Sequence, residues 1–218
     1  MSSFPNSPRL IKGGIVLIDP QTSVVQRVIA LQYNPDTLTR SFQIKAITEG
    51  GDRSEALRLT GPPVESIKLD AEIDATDQLE FPGQNPNATQ FGIQPQLAAL
   101  ETIIYPTSAQ IQENNRLASS GTLEIVPMEA PLTLFVWSKN RVLPVRVTEF
   151  SITEEAFDPS LNPIRAKMSL GMRVLSVTDL GFDNKGGSLF MAYQQQKEQL
   201  AAKSVGGAMS LLGIRGIP

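Results

Sequence analysis

Apolar and polar residues alternate most cleanly in two stretches. Over Val64–Asp74, Ile67, Leu69, Ala71 and Ile73 fall on one face, and Ser66, Lys68, Asp70, Glu72 and Asp74 on the other. A period of two belongs to a strand with one dry and one wet side. Later, Ile164, Ala166, Met168, Leu170, Met172 and Val174 alternate with Arg165, Lys167, Ser169, Gly171 and Arg173, a long half-buried strand whose outer face is basic. Shorter runs of β-rich composition fill in around them. Leu10–Ile18 and Val24–Tyr33 flank a turn at 19–23, and Asn34-Pro35-Asp36 breaks the pattern before Thr39–Ile47, where Phe42 and Ile44 share a face. Leu123–Val126, Leu132–Trp137 and Val142–Thr153 follow. In the last of these the apolar phase slips between Val147 and Phe150, which predicts a β-bulge.

Helical spacing is sparser. Ile93, Leu97, Leu100 and Ile104 recur at helical intervals, with Pro95 suited to a first turn and Tyr105-Pro106 to a stop. The stretch 107–121 suits either a short helix or a loop. Ser188–Ser204 reads as a helix with Leu189, Tyr193, Lys197 and Leu200 on one face. Residues 49–54, 78–94, 158–163 and 183–187 read as loops. Hairpin spacing without alternating strand–helix units predicts a mainly β fold, with antiparallel sheets packed as a barrel or sandwich, one helix against them, and a C-terminal helix and tail. The expected division is 1–182 for the barrel and 183–218 for the helix with a flexible arm.

Composition narrows the chemistry. Gly 16 and Pro 16 in 218 residues favour turn-rich β structure. Cys 0 removes disulfides and thiolate chemistry, and His 0 removes the commonest general base and transition-metal ligand. A net charge of −3 argues against nucleic acid as the main partner. The longest apolar runs, Ile15–Ile18 and Leu132–Trp137, are far short of the roughly 18–20 residues of a membrane helix, so no membrane insertion is expected. Met1–Pro8 lacks a basic n-region followed by an apolar run, which predicts cytosolic synthesis and leaves the sequon Asn87-Ala88-Thr89 unused.

No phosphate loop, dinucleotide fingerprint, serine elbow or zincin motif occurs. Glu154-Glu155 and the row Asp70, Glu72, Asp74 are the nearest approach to paired carboxylates, and they read better as solvated strand faces. No catalytic residue, metal or cofactor is expected. Trp137 suits a core or corner position, and Phe150 and Phe157 suit plugs at the barrel ends. The acidic row of 66–74 and the basic row of 165–173 have opposite sign; on different sides of a domain they would let copies dock through complementary charge.

Leu31-Gln-Tyr-Asn-Pro-Asp-Thr-Leu-Thr39 and the run from Pro131 to Ala166 resemble the tube-domain proteins of contractile injection systems, the phage-tail-like particles. The carriers of the resemblance are Asn34-Pro35, Val136-Trp137, Phe157-Asp158-Pro159 and Pro163-Ile164-Arg165-Ala166, over about residues 10–180. The resemblance implies a tail-tube-type two-sheet barrel in a homo-hexameric ring whose sheets form a lumen wall. It looks most similar to the baseplate adaptor that joins the inner-tube protein to the spike hub beside other baseplate proteins, within a particle assembled in the cytoplasm. That family often carries a LysM domain, of which this sequence shows no sign. Asn34, Pro35, Trp137, Phe157, Pro159, Pro163, Arg165, Lys167 and Arg173 are the resulting structural and interface candidates. Strands Leu143–Thr153 and Ile164–Val174 are candidates for the ring wall, and Val205–Pro218 for an arm that captures a neighbouring protein. The alternatives are a main inner-tube protomer and, in another class, a monomeric ligand-binding barrel.

Overall fold

The computed structural model describes residues 10–46, 58–121, 130–204, 206–207, 209–215 and 217. The expected strand Leu123–Val126, the loop 49–54 and the segment Met1–Pro8 lie outside them, as does Ile47. The described chain is mainly β: seven strands form one antiparallel sheet in the order β2-β1-β5-β6-β7-β4-β3, accompanied by six α-helices. The strands are β1 (Gly14–Ile18), β2 (Val25–Ala30), β3 (Leu38–Gln43), β4 (Val64–Asp74), β5 (Leu132–Ser138), β6 (Arg141–Phe157) and β7 (Pro163–Val174). The sheet is not closed into a barrel, because among the described strands β2 and β3 each have a single partner.

Two border strands adjacent in sequence force the sheet to curl. From Ala30 to Leu38 there are eight Cα steps, which reach roughly 26–29 Å at about 3.3–3.6 Å each only if fully straight. In a flat sheet the outermost strands would stand about 29 Å apart, at a spacing of ~4.8 Å. The link is not straight either. Gln32 donates to the Asp74 carbonyl at 2.7 Å and accepts from the Asp74 amide at 3.0 Å, so the end of β2 reaches the end of β4. Asn34 accepts from the Gly13 amide at 2.9 Å and donates to the Ile11 carbonyl at 2.8 Å.

The curled sheet holds one principal core. Ile67, Leu69, Ala71 and Ile73 of β4 meet Ala166, Met168, Leu170 and Met172 of β7, with Ile15, Leu17, Phe135, Leu143 and Val145 from the other half. Helix α1 (Thr76–Leu79) and α2 (Pro86–Phe91) occupy part of the stretch expected to be loop. Helix α3 (Gln94–Glu101) carries Pro95 in its first turn and buries Leu97 and Leu100, with Ile93 and Ile103 on either side. Ile103 takes the place expected of Ile104, which is exposed because the chain leaves helical geometry after Glu101. Helix α4 (Ser108–Ser119) resolves the open choice over 107–121; a reciprocal capping box between Thr107 and Gln110 starts it, and it buries no residue.

The register slip in β6 sits where the apolar phase changes, between Val147 and Glu149. Phe42 and Ile44 do not form a dry pair; β3 is a border strand that ends at Gln43, and both side chains are exposed. After β7 come α5 (Val177–Leu180) and α6 (Lys185–Ala201). Helix α6 docks through Phe190 and Tyr193, at i and i+3, and Leu189 joins a smaller cluster, whereas Leu200, expected on the same face, lies exposed near the helix end.

Gly92 pins the α2–α3 corner against β7. Its φ is +58°, and a Cβ there would overlap the Pro163 carbonyl oxygen, beside the 2.9 Å bond from the Ile93 amide to that same oxygen. Gly92→Ala should lower unfolding stability by about 2–3 kcal/mol in urea titration, whereas Gly83→Ala, with open space around it, should change it by less than about 0.5 kcal/mol. Equal midpoints for the two variants would contradict this packing.

Candidate assembly surfaces

The acidic and basic rows do not lie on different sides of the domain, as complementary docking would need. Strand β4 pairs directly with β7, placing Asp74 beside Arg165 and Glu72 beside Lys167 on one outer face. Arg165 bonds Asp74 at 2.8 Å and lies 3.6 Å from Glu72; Lys167 reaches Glu155 of β6 at 3.0 Å; Lys68 lies 3.4 Å from Glu149. Arg173 bonds Asp179 in α5 at 2.6 Å. These charges are spent on one another, so the wall is polar with most of its charge paired within the sheet.

Two carboxylates bonded to the cations of this ladder are held in their charged form. Partial burial works against ionising Asp74, but the hydroxyl and amide of Thr76 and the Arg165 guanidinium outweigh it and lower its pKa. Burial likewise opposes the Asp179 charge, and the Ser176 amide and hydroxyl with Arg173 more than compensate.

The remaining candidates divide into three places. Asn34 and Pro35 join Lys167, Asp70, Glu72 and Ser151 around an open cleft of about 650 Å³ on the outer face. Phe157, Pro159 and Pro163 sit at the β6–β7 hairpin tip. There Asp158 accepts from the amides of Ser160 and Asn162, and the Asn162 side chain reaches the Gln90 carbonyl at 3.1 Å. Phe157 is half exposed at this tip rather than plugging a barrel end, because β6 runs past the edge of the core; Phe150 does pack against the core. Trp137 stacks on Phe135 with centroids 5.8 Å apart and covers Gly13, a corner position.

One polar cluster escaped the sequence reading although its signal was present. Glu65 falls on the dry phase of β4 and is buried, bonded to Arg40 of β3 at 2.7 Å. Arg40 also donates to the Tyr193 hydroxyl at 2.9 Å, and the Lys197 ammonium stands 4.7 Å from the Tyr193 ring centroid. Burial, then the Glu65 charge, raises the Tyr193 pKa; burial lowers that of Lys197. The cluster ties α6 to the β3–β4 border.

The sheet's open edges are the other notable surface. Strand β5 pairs with β6 only as far as Val145, so from Arg146 to Phe157 β6 has a described partner on the β7 side alone. Borders β2 and β3 are likewise single-sided among the described residues. A cavity of about 300 Å³ among α1–α3 is lined by Gln78, Gln84, Asn85 and Gln96 and by no charged group. Among the described residues no cluster of acidic side chains is placed to hold a metal ion, and no helix is long and apolar enough to cross a membrane. No protein-family model matches the chain, and no curated protein matches it.

The lowered pKa values fix a sign. Stability supplied by Asp74 and Asp179 is fully present above about pH 4, the unfolded value, and is lost as pH falls through their lower folded values. The urea midpoint should therefore hold between pH 7 and 5 and fall below pH 4, with a shallower fall in Asp179→Asn. An Asp179→Asn variant with the parent's full acid slope would remove Asp179 from this account.

Proposed function

We propose that the chain is a structural, non-enzymatic subunit of a contractile injection particle, forming a six-membered ring that joins the inner tube to the spike and baseplate hub. The observation that carries this reading is the open sheet: the two borders, and β6 from Arg146 to Phe157, have a strand on one side only among the described residues, while the core beneath them is packed. Unpaired strand edges are templates for another chain, and heterologous edge contacts of one chain with its copies generate rings when the rotation closes. On this reading the curled sheet is one unit of a tail-tube-type barrel, and the two-sheet packing is completed as copies join.

The outer face of β6, β7 and β4 suits the wall of the ring. It presents Ser151, Thr153, Lys167, Ser169, Asp70 and Glu72, a polar surface on which Lys167 is paired with Glu155 and Glu72 with Arg165. Such a face can line a wet channel without gripping its contents. A monomeric ligand-binding barrel is less well supported, since the larger cleft is open and polar. On this reading subunit and partners move together as one body, with no reaction carried out by this subunit.

Electron microscopy of particles from cells lacking this chain tests the proposal. Spikes without tubes, or no assembled particles, are expected; normal particles would overturn it. Mass spectrometry of intact particles then counts copies: six per particle is expected for the adaptor, whereas many stacked rings would assign the chain to the tube shaft.

A further inference from the structure

Positive charge gathers around the buried Glu65–Arg40 pair and outnumbers its carboxylate. Arg40 is held on three sides: it bonds Glu65 at 2.7 Å, donates to the Tyr193 hydroxyl at 2.9 Å, and lies 4.9 Å from the Phe42 ring centroid. Those contacts already tie α6 to the β3–β4 border. Two further cations reach the same tyrosine without being needed for the tie. Lys197, one helical turn beyond Tyr193 in α6, sets its ammonium 4.7 Å from the ring centroid. Arg141, the first residue of β6, stands close enough to the Tyr193 hydroxyl to oppose the upward pKa shift that burial imposes on it.

Lys197 and Arg141 are half-buried, and among the described residues neither has a carboxylate partner. Glu198, the other acid that acts on Lys197, is exposed and takes a hydrogen bond from Gln194 at 3.4 Å. Three cations therefore share one buried carboxylate, and two positive charges are partly withdrawn from water without a counter-charge. That arrangement is costly unless an anion completes it. Burial leads the lowering of the Lys197 pKa, and Arg40 adds to it against the Glu65 charge. The Tyr193 hydroxyl accepts from Arg40, which leaves its own proton to donate. Two unmatched cations beside a hydroxyl donor suit an oxyanion of two charges and several acceptor oxygens.

We propose that Lys197, Arg141 and the Tyr193 hydroxyl form a receptor for a phosphate-type dianion, with Arg40 held behind them by Glu65. The site opens where Lys197 and Arg141 are part exposed and needs no second chain, so it stands apart from the ring reading. The bound anion would supply the missing counter-charge and brace α6 against the start of β6, which Gln196 already touches through Asn140 at 2.9 Å.

Calorimetric titration of the full chain with inorganic phosphate, against sodium chloride at matched ionic strength, tests the proposal. Saturable binding is expected with phosphate and none with chloride. Lys197→Gln and Arg141→Gln should each weaken binding roughly tenfold or more, the loss of one charge-assisted contact. Lys197→Arg should keep most of it, and Lys203→Gln, exposed beyond the helix end, should leave it unchanged. A second readout needs no variant: acetylation by an N-hydroxysuccinimide ester, mapped by mass spectrometry, should slow severalfold at Lys197 in phosphate and stay the same at Lys203. Phenyl phosphate separates the sources, and either result supports the site: competition by the ester assigns a phosphorylated ligand, and its failure assigns the free ion. No saturable binding in the unmodified chain would overturn the proposal. So would equal weakening by Lys203→Gln and Lys197→Gln, or a Lys197 acetylation rate that phosphate does not change.

Discussion

A short link between opposite borders of one sheet is the constraint on which the rest of this structure depends. Residues 31–37 must carry the chain from β2 to β3, the first and last strands of a seven-stranded order. The sheet meets that demand by curling, and the amide pair between Gln32 and Asp74 holds the curl at one end. Curling creates a concave side deep enough to need filling, which is what α3 and the Phe190–Tyr193 face of α6 supply. It also leaves β2 and β3 with one strand neighbour each among the described residues, so the fold is complete in its core and open at its edges.

The two halves of the sheet solve the problem of their outer faces differently. Across β4, β7 and β6, several carboxylates and cations face one another at ladder positions, Asp74 and Glu155 flanking Arg165 and Glu72 standing opposite Lys167. Exposed pairs of this kind add little stability, on the order of 0–1 kcal/mol each, so their effect is on surface character. Across β2, β1 and β5 the outer face is aliphatic and is covered by α5 and α6 on one side only.

Much of this was legible in the sequence where a period of two runs long. The strand Val64–Asp74 has the bounds that alternation predicts, and the β6 bulge lies where the apolar phase slips, because a register shift in a ladder must move side chains between faces. What alternation cannot tell is which strand lies beside which. The acidic and basic rows were each visible, but their neutralisation depends on β4 pairing with β7 across 91 residues between Asp74 and Arg165. The short helices α1 and α2 were hidden because proline, glycine and asparagine serve helix starts and loops alike. Glu65 was readable as a charge on a dry phase, yet its partners Arg40 and Tyr193 come from elements that only tertiary packing brings together.

Hydrogen exchange measured on the isolated chain and on the assembled particle tests the central claim most directly. The account predicts that border amides of β2, β3 and the Val147–Phe157 half of β6 exchange quickly in the free chain and gain protection on assembly, while core amides of β4 and β7 stay protected in both. Unchanged, rapid exchange along all three borders in the assembled state would contradict the claim that copies join through their strand edges.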